Sequence, residues 1–274
     1  MIRVITTPGC SASYNMAVDE AIFKASSRNS EIMTLRIYSW QPSAVSLGYG
    51  QNIANEIDPK KCDKYGIELV RRITGGRAIL HDDEITYSFV ASETHSALTS
   101  HSGVMLRKVN EALIRTLHQF GILGELEPNG FCGLGKEDVC FTATGRYEII
   151  VNGKKLAGSA QRRSGGNVLQ QGTILLGSGH KKLPLLMPPE KYERRKKIAQ
   201  LLNTRTISVS DLLNQMPTFR EWADCLSKSF LEEMDLDGYE GVLDEKEQSD
   251  AQVLLETKYG NPAWTYRKTS CHAR

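Results

Sequence analysis

Residues 69–90 read LVRRITGGRAILHDDEITYSFV, and this stretch constrains the fold more than any other. Three β-prone runs lie in it, at Leu69-Val70, Ala78-Ile79-Leu80 and Ile85 to Val90. The pattern predicts strand, tight glycine turn, strand, loop, strand. Gly75-Gly76 permits positive φ and lets backbone N–H groups approach a ligand closely. Arg72 beside such a turn can hold a phosphate or a carboxylate. The same residues also describe a plain hairpin with charged flanks, and local pattern does not separate the two.

The chain on either side reads as alternating strands and helices. Residues 1–9 alternate apolar and polar and predict an edge strand. A helix is expected from Met16 to Ala25, capped by Ser13 or Asn15, with Asp19 and Glu20 as carboxylates near its start that suit the dipole. Strands at 33–40 and 44–50 are split by Gln41-Pro42-Ser43, and a short helix at 55–65 ends at Gly66. Val104 to Phe120 has helical periodicity, whereas 127–140 (EPNGFCGLGKEDVC) reads as a long loop. Asn152-Gly153 predicts a hairpin between 147–151 and 154–160, and Ser164-Gly165-Gly166 a further turn into a strand at 172–176. That hairpin puts Lys154 and Lys155 on opposite faces of one strand, so one points inward. Helices are expected at 208–216, capped by Ser208 or Ser210, at 217–234 and at 245–258, with a tail that folds back or frays. A core over 1–178 then carries a basic, mostly helical extension over 179–274, the whole acting as one catalytic domain.

Bulk properties exclude several classes. With 274 residues, 40% hydrophobic and 24% charged, the chain has the composition of a globular enzyme. A net charge of +2 gives no reason to expect a nucleic-acid partner. No apolar run approaches the roughly 20 residues of a membrane span, and residues 1–9 are too short for a secretory leader, so the cytoplasm is expected. Six scattered cysteines without a C-x-x-C pair predict reduced thiols and no metal site. Cys132 and Cys140 lie close in sequence with no histidine near them.

The string RR-x-TGG-x-A-x-x-HD-x-E-x-TYS over 71–88 resembles the signature of the biotin/lipoate A/B protein ligase family, whose members attach lipoyl or octanoyl groups to lysines. NMAVDEA (15–21), WQPSAVSLGYGQ (40–51), GKKLAGSAQRR (153–163), LQQGTILLG (169–177) and KYGNPAWTYR (258–267) resemble further family motifs, in the family's order. The resemblance implies an α/β (α+β) fold with a mixed, largely antiparallel sheet flanked by helices. It implies that Lys155, just before LAGSA, binds the carbonyl or phosphate end of the acyl ligand. Arg72, Gly75, Gly76, Ala78 and His81 would line one side of the pocket, and Gly158 with Ala160 the other.

Octanoyltransferases of this family place a cysteine in a CF stretch ahead of a YEL-like run, and Cys140-Phe141 ahead of Tyr147-Glu148-Ile149 resembles it. Cys140 is thereby the candidate nucleophile, with Cys132 the other cysteine in reach, since a thiol can exchange thioesters at little energetic cost. His81 is a candidate base toward it, while Asp82, Glu84 and Thr86 are expected to fix the loop by hydrogen bonds. This reading implies octanoyl transfer from acyl carrier protein, without a cofactor, to a lipoyl-domain protein. Acceptors of that kind are the glycine cleavage H protein and the lipoyl-bearing subunit of a 2-oxoacid dehydrogenase. A monomer is expected. The basic run 181–197 could steer either acidic partner. The alternative is a lipoate-protein ligase using ATP and Mg, with Cys140 incidental. Ligases commonly carry an extra C-terminal domain, for which the residues beyond 178 read as too few. A non-catalytic lipoyl-domain binder is the third reading. Gln171-Gly172 departs from the HG common among the family's transferases, and the loop 142–145 lacks their proline or serine, which bears on substrate choice and on the cysteine's placement.

Overall fold

The protein is described here by a computed structural model that covers residues 1–98, 103–127 and 148–267. Its strands are β1 (Ile2–Cys10), β2 (Met33–Trp40), β3 (Ala44–Leu47), β4 (Glu68–Arg71), β5 (Ile79–His81) and β6 (Glu84–Ser92). They continue as β7 (Glu125–Leu126), β8 (Ile149–Val151), β9 (Lys154–Ser164), β10 (Asn167–Leu175) and β11 (Gly238–Glu240). Eight form one sheet in the order β11-β1-β2-β6-β10-β9-β8-β7, and three form a second in the order β4-β3-β5. The large sheet is parallel where β1 meets β11 and β2, and antiparallel elsewhere. The mixed, largely antiparallel sheet flanked by helices is therefore as expected.

Turn chemistry explains the antiparallel half. Asn152 and Gly153 both take positive φ, 52° and 69°, the primed-turn geometry that joins β8 to β9. Gly165 and Gly166 do the same between β9 and β10, with φ of 62° and 74°. Both hairpins were legible from these residue pairs.

The glycine turn at 75–76 is different. β4 and β5 do not pair with each other, because β3 runs between them, parallel to β4 and antiparallel to β5. The expected tight turn is thus a loop over 72–78 that crosses β3. Its path requires glycine twice. Gly76 has φ 90°, and a Cβ on Gly48 would lie 2.1 Å from the Gly76 carbonyl oxygen.

Alternation divides the large sheet into two faces. Leu35, Phe89, Ile174 and Ala157 lie on one face with Ile2 and Val4, against Val109, Leu113 and Leu117 of the Val104–Gln119 helix. The Phe219–Met234 helix adds Trp222, Leu226 and Phe230 to that core. Residues beyond 178 therefore share the main core and supply the edge strand β11. The opposite face is covered by the Ala12–Ala25 helix and the small sheet.

Four local expectations are corrected. β1 is not an edge strand, since β11 pairs along it at Ile2, Arg3 and Val4. The first helix starts at Ala12 with Ser11 as its cap, a turn earlier than expected, so Asp19 and Glu20 fall mid-helix. They are buried ion-pair partners rather than first-turn carboxylates. No helix spans 208–216; only a short turn, Val209–Asp211, forms there, because Ser210 N–H is drawn to the Leu176 carbonyl at the end of β10. The last expected helix ends at Leu254 and widens into a π turn, Leu255–Tyr259. Among the described residues, no helix is long and apolar enough to cross a membrane.

Candidate active site

The site lies on the second face of the large sheet, under the small one. Gly158, Thr173, Thr86 and Tyr38 stand side by side across β9, β10, β6 and β2. Two residues along, Ala160, Gln171, Ser88 and Arg36 form the next row. A narrow, partly open cleft follows the first row. Its floor is Gly158, Ala160 and Thr173, and Met16, Tyr38 and Trp40 line its far end. Ser46, Arg72, Ile79 and His81 border it from the small sheet and the loop behind it.

Lys155 sits at the near end of that row. Lys154 is exposed while Lys155 is buried to 1%, as the strand alternation predicts. A bulge where β8 meets β9 opposes Ile150 to Lys155 and Ile149 to Ala157, leaving Leu156 as the extra residue. The inserted residue shifts parity and brings Lys155 onto the face of Gly158. A Cβ on Gly158 would stand 2.8 Å from Lys155 Cε and 3.0 Å from Nζ. Glycine at 158 thus makes room for the ammonium to lie over the cleft floor. Lys155 Nζ pairs with Glu148 Oε1 at 2.6 Å. The strand is pinned from behind, since Lys155 O accepts the Ile207 N–H at 3.0 Å. Next to it, His180 Nε2 lies 2.7 Å from Thr206 Oγ1, and burial pushes the His180 imidazole down to about 4.

His81 is an oriented wall group. Its Nδ1 is 2.6 Å from Glu84 Oε1, its Nε2 is 2.7 Å from Ser46 Oγ, and its ring stacks on Trp40 at 4.0 Å. Arg72 Nη1 donates to Ser46 Oγ, so the serine proton is available to His81 Nε2, and Nδ1–H donates to Glu84. Glu84 also accepts from Thr86 Oγ1, which accepts from Trp40 Nε1. The expected loop-fixing roles of Glu84 and Thr86 are observed, and Asp82 joins them by accepting from Ser43 Oγ. With both ring nitrogens engaged, His81 has no lone pair to offer a thiol in this arrangement.

Arg72 borders the cleft, but its guanidinium is largely spent on the glycine loop. It donates to the carbonyls of Ser46, Gly75 and Arg77. Arg71 is equally interior, bonding the carbonyls of Gly48, Gln51 and Thr265, and burial lowers its pKa to about 10. The double arginine therefore holds two loops and the C-terminal segment in place. Ala78 is buried in the core of the small sheet, and Gly75 and Gly76 lie on the loop that Arg72 clamps.

Sequence reasoning missed the network that closes the second row. Asp19 pairs with Arg36 at 2.8 Å and accepts from Tyr38 Oη, Ser88 Oγ and Gln171 Nε2. Burial, reinforced by the Asp19 carboxylate, raises the Tyr38 phenol well above its ordinary range. Gln171 Oε1 in turn accepts from Thr74 Oγ1, tying the floor to the glycine loop above. The one available signal was NMAVDEA, in which helical spacing puts Asp19 and Glu20 on the same face as the apolar Met16. Cys140, like Cys132, lies outside the described residues. Among the described residues no group of His, Cys, Asp and Glu could hold a metal ion.

Comparison with known proteins agrees over nearly the whole chain. The family described as lipoyl protein ligase A/B catalytic domain matches residues 11–231. The octanoyltransferase LipM of Kyrpidia tusciae is 34% identical, over 97% of this chain and 98% of that protein. The octanoyltransferase LipM of Bacillus subtilis is 32% identical over 97% and 98%. Among solved structures, a bi-partite lipoate protein ligase from Thermoplasma acidophilum superposes with a TM-score of 0.79 at 26% identity, covering 99% of this chain and 98% of that one. Lipoate-protein ligase A bound with ATP gives 0.75 at 26% identity, over 97% and 98%. By sequence and by fold, the chain belongs to the lipoyl protein ligase A/B catalytic-domain family.

Proposed function

We propose that this protein is an octanoyltransferase that moves an octanoyl group from acyl carrier protein, through a thioester on Cys140, to a lysine of a lipoyl-domain protein. The observation that carries the reading is end-to-end similarity to octanoyltransferases, 34% over 97% of the chain. The geometry suits the cargo: an apolar cleft with a buried ammonium, Lys155, at one end.

The chemistry follows from those groups. The Cys140 thiolate attacks the thioester carbonyl, and the carrier's sulfur leaves and takes up a proton. An uncharged lysine amine of the acceptor then attacks the new thioester. An amide forms, and the Cys140 sulfur leaves with the proton the amine sheds. Both steps put negative charge on the same carbonyl oxygen. Lys155 donates a hydrogen bond there, and Glu148 keeps its ammonium aimed over Gly158. Glu127 N–H donates to the Glu148 carbonyl at 2.9 Å, which holds the residue that pairs with Lys155. The reaction needs no ATP, and the cytoplasm supplies both proteins.

The test is intact-protein mass spectrometry after incubation with octanoyl-acyl carrier protein and no ATP. An octanoyl adduct labile to hydroxylamine on the wild type, and absent from Cys140→Ser, supports transfer. Modification of a lipoyl domain only when lipoate, ATP and Mg are supplied would make the protein a ligase and Cys140 a bystander.

A further inference from the structure

We infer that Arg162 and Arg267, converging on Tyr49 beside the cleft, form a phosphate site for the phosphodiester of the carrier protein's phosphopantetheine arm; this rests on the transfer reading above. Two motifs without a role in that reading build it, the tyrosine of WQPSAVSLGYGQ and the segment KYGNPAWTYR. The Arg162 guanidinium lies 5.0 Å from the Tyr49 ring centre, and that of Arg267 lies 4.1 Å from it. Arg267 also packs 4.0 Å from the Trp264 ring, which the Lys258 ammonium approaches to 4.0 Å. Lys258 is answered by Glu20 at 2.6 Å. Among the described residues, no carboxylate answers Arg162 or Arg267. They donate to the carbonyls of Ile73 and Tyr49, at 3.1 and 2.8 Å, and Arg267 Nε is buried without a hydrogen-bond partner. Bonding to Arg267, then the charges of Arg267 and Arg162, hold the Tyr49 phenol below its ordinary range. Two uncompensated guanidinium groups repel, and aromatic faces offset only part of that cost. A phosphate, whose oxygens accept forked N–H donors, completes the arrangement.

Its place in the sheet identifies the occupant. Arg162 follows Gly158 and Ala160 on one face of β9, so it continues the cleft floor. From Gly158, where the Lys155 ammonium lies, to Arg162 is about 13 Å of strand. A phosphopantetheine arm carries its thioester at one end and its phosphate at the other, and is long enough to span that interval. The route is open. Gly158 to Arg162 are half-buried, and among the described residues the pairing of β8 along β9 stops at Ala157. The acyl chain would then lie across the strands and the arm along β9, with the carbonyl at Lys155 where they meet. Through its bond to Ile73, Arg162 also ties the phosphate site to the glycine loop.

The probes are S-octyl pantetheine and its 4′-phosphate methyl diester, unreactive thioethers titrated calorimetrically into the folded protein. Wild type should bind the diester at least about tenfold more tightly. Arg162→Gln and Arg267→Gln should each erase most of that preference, with affinity for S-octyl pantetheine little altered. Arg163→Gln removes the same charge from the opposite face of β9, where it pairs with Glu93, and should keep the preference. Equal affinity for the two thioethers in the wild type would overturn the inference, as would a preference that survives in both site variants. ATP with Mg is the competing source of phosphate. If it binds more tightly than the diester and is lost in the same two variants, the site belongs to a nucleotide and the carrier arm is overturned. Because the thioethers need no catalysis, a phosphate preference stands even if Cys140 takes no octanoyl group, and that result would remove the transfer reading alone.

Discussion

The large sheet has two faces built from alternate residues of the same strands, and they are held together differently. On one, Leu35, Phe89, Ile174 and Ala157 meet two amphipathic helices through apolar contact alone. On the other, Arg36, Ser88, Gln171 and Asp19 are as deeply buried but bound by charge and hydrogen bonds. Apolar packing is non-directional and tolerates repacking. A buried polar network fixes angles, and any unmade bond in it is costly. A cleft that must hold one shape around a flexible acyl chain is better walled by the second kind. The difference teaches that stability and site geometry have been assigned to opposite sides of the same backbone.

The sharpest way to break this division is Asp19→Ala. It leaves the Arg36 guanidinium, 0% exposed, without its carboxylate, and strips partners from Tyr38, Ser88 and Gln171. A loss of about 3–5 kcal/mol in urea unfolding is expected, together with a collapse of octanoyl transfer in whatever remains folded. Phe230→Ala on the opposite face should cost about 3–5 kcal/mol through its cavity. Its folded fraction should keep the wild-type KM for octanoyl-acyl carrier protein. Equal damage to KM by both variants would mean that the faces are not separable.

The two faces were also unequally legible. Helical periodicity over 104–120 announced one cover of the apolar face, and the pairs Asn152-Gly153 and Gly165-Gly166 announced two of the sheet's hairpins. Such signals are local. The insertion of β3 between β4 and β5 is not, since it depends on pairing between residues far apart, and Gly75-Gly76 looks the same in a hairpin and in a crossover. Asp19 and Glu20 defeated sequence reading for a related reason. A carboxylate near a helix start ordinarily faces water, and only Arg36, from another strand, makes burial of Asp19 tolerable. Lys155 was legible twice over, from strand alternation and from the motif around it, whereas its partner Glu148 was not.

The support behind Lys155 can be tested by pH. His180 falls from 6.5 to about 4 because burial disfavours the imidazolium. The unfolded chain therefore binds a proton that the folded protein refuses between these values. Stability from this group is complete above pH 6.5 and drains away as the pH falls toward 4, by about 3 kcal/mol. Urea midpoints from pH 7.5 to 4.5 should fall more steeply for the wild type than for His180→Gln. Parallel lines would show that this histidine does not contribute.

The smallest structural change tests the comparison most finely. Gly158 does not need positive φ, so alanine is allowed by the backbone, and in a strand it would ordinarily stabilise by about 0.4–1 kcal/mol through the unfolded state. Here the added Cβ meets Lys155 Cε at 2.8 Å. The flexible end of a lysine can move aside without disturbing the apolar face, so net stability should change by less than about 1 kcal/mol. Movement of the ammonium should still matter to the reaction. If Lys155 bonds the carbonyl oxygen chiefly as charge develops on it, kcat should fall at least about tenfold, near 1.4 kcal/mol, with KM little altered. A Gly158→Ala enzyme with full kcat would show that the ammonium's position over the cleft floor is not what the reaction uses. Lys155 would then count with the polar network, as a group that shapes the site rather than one that works in it.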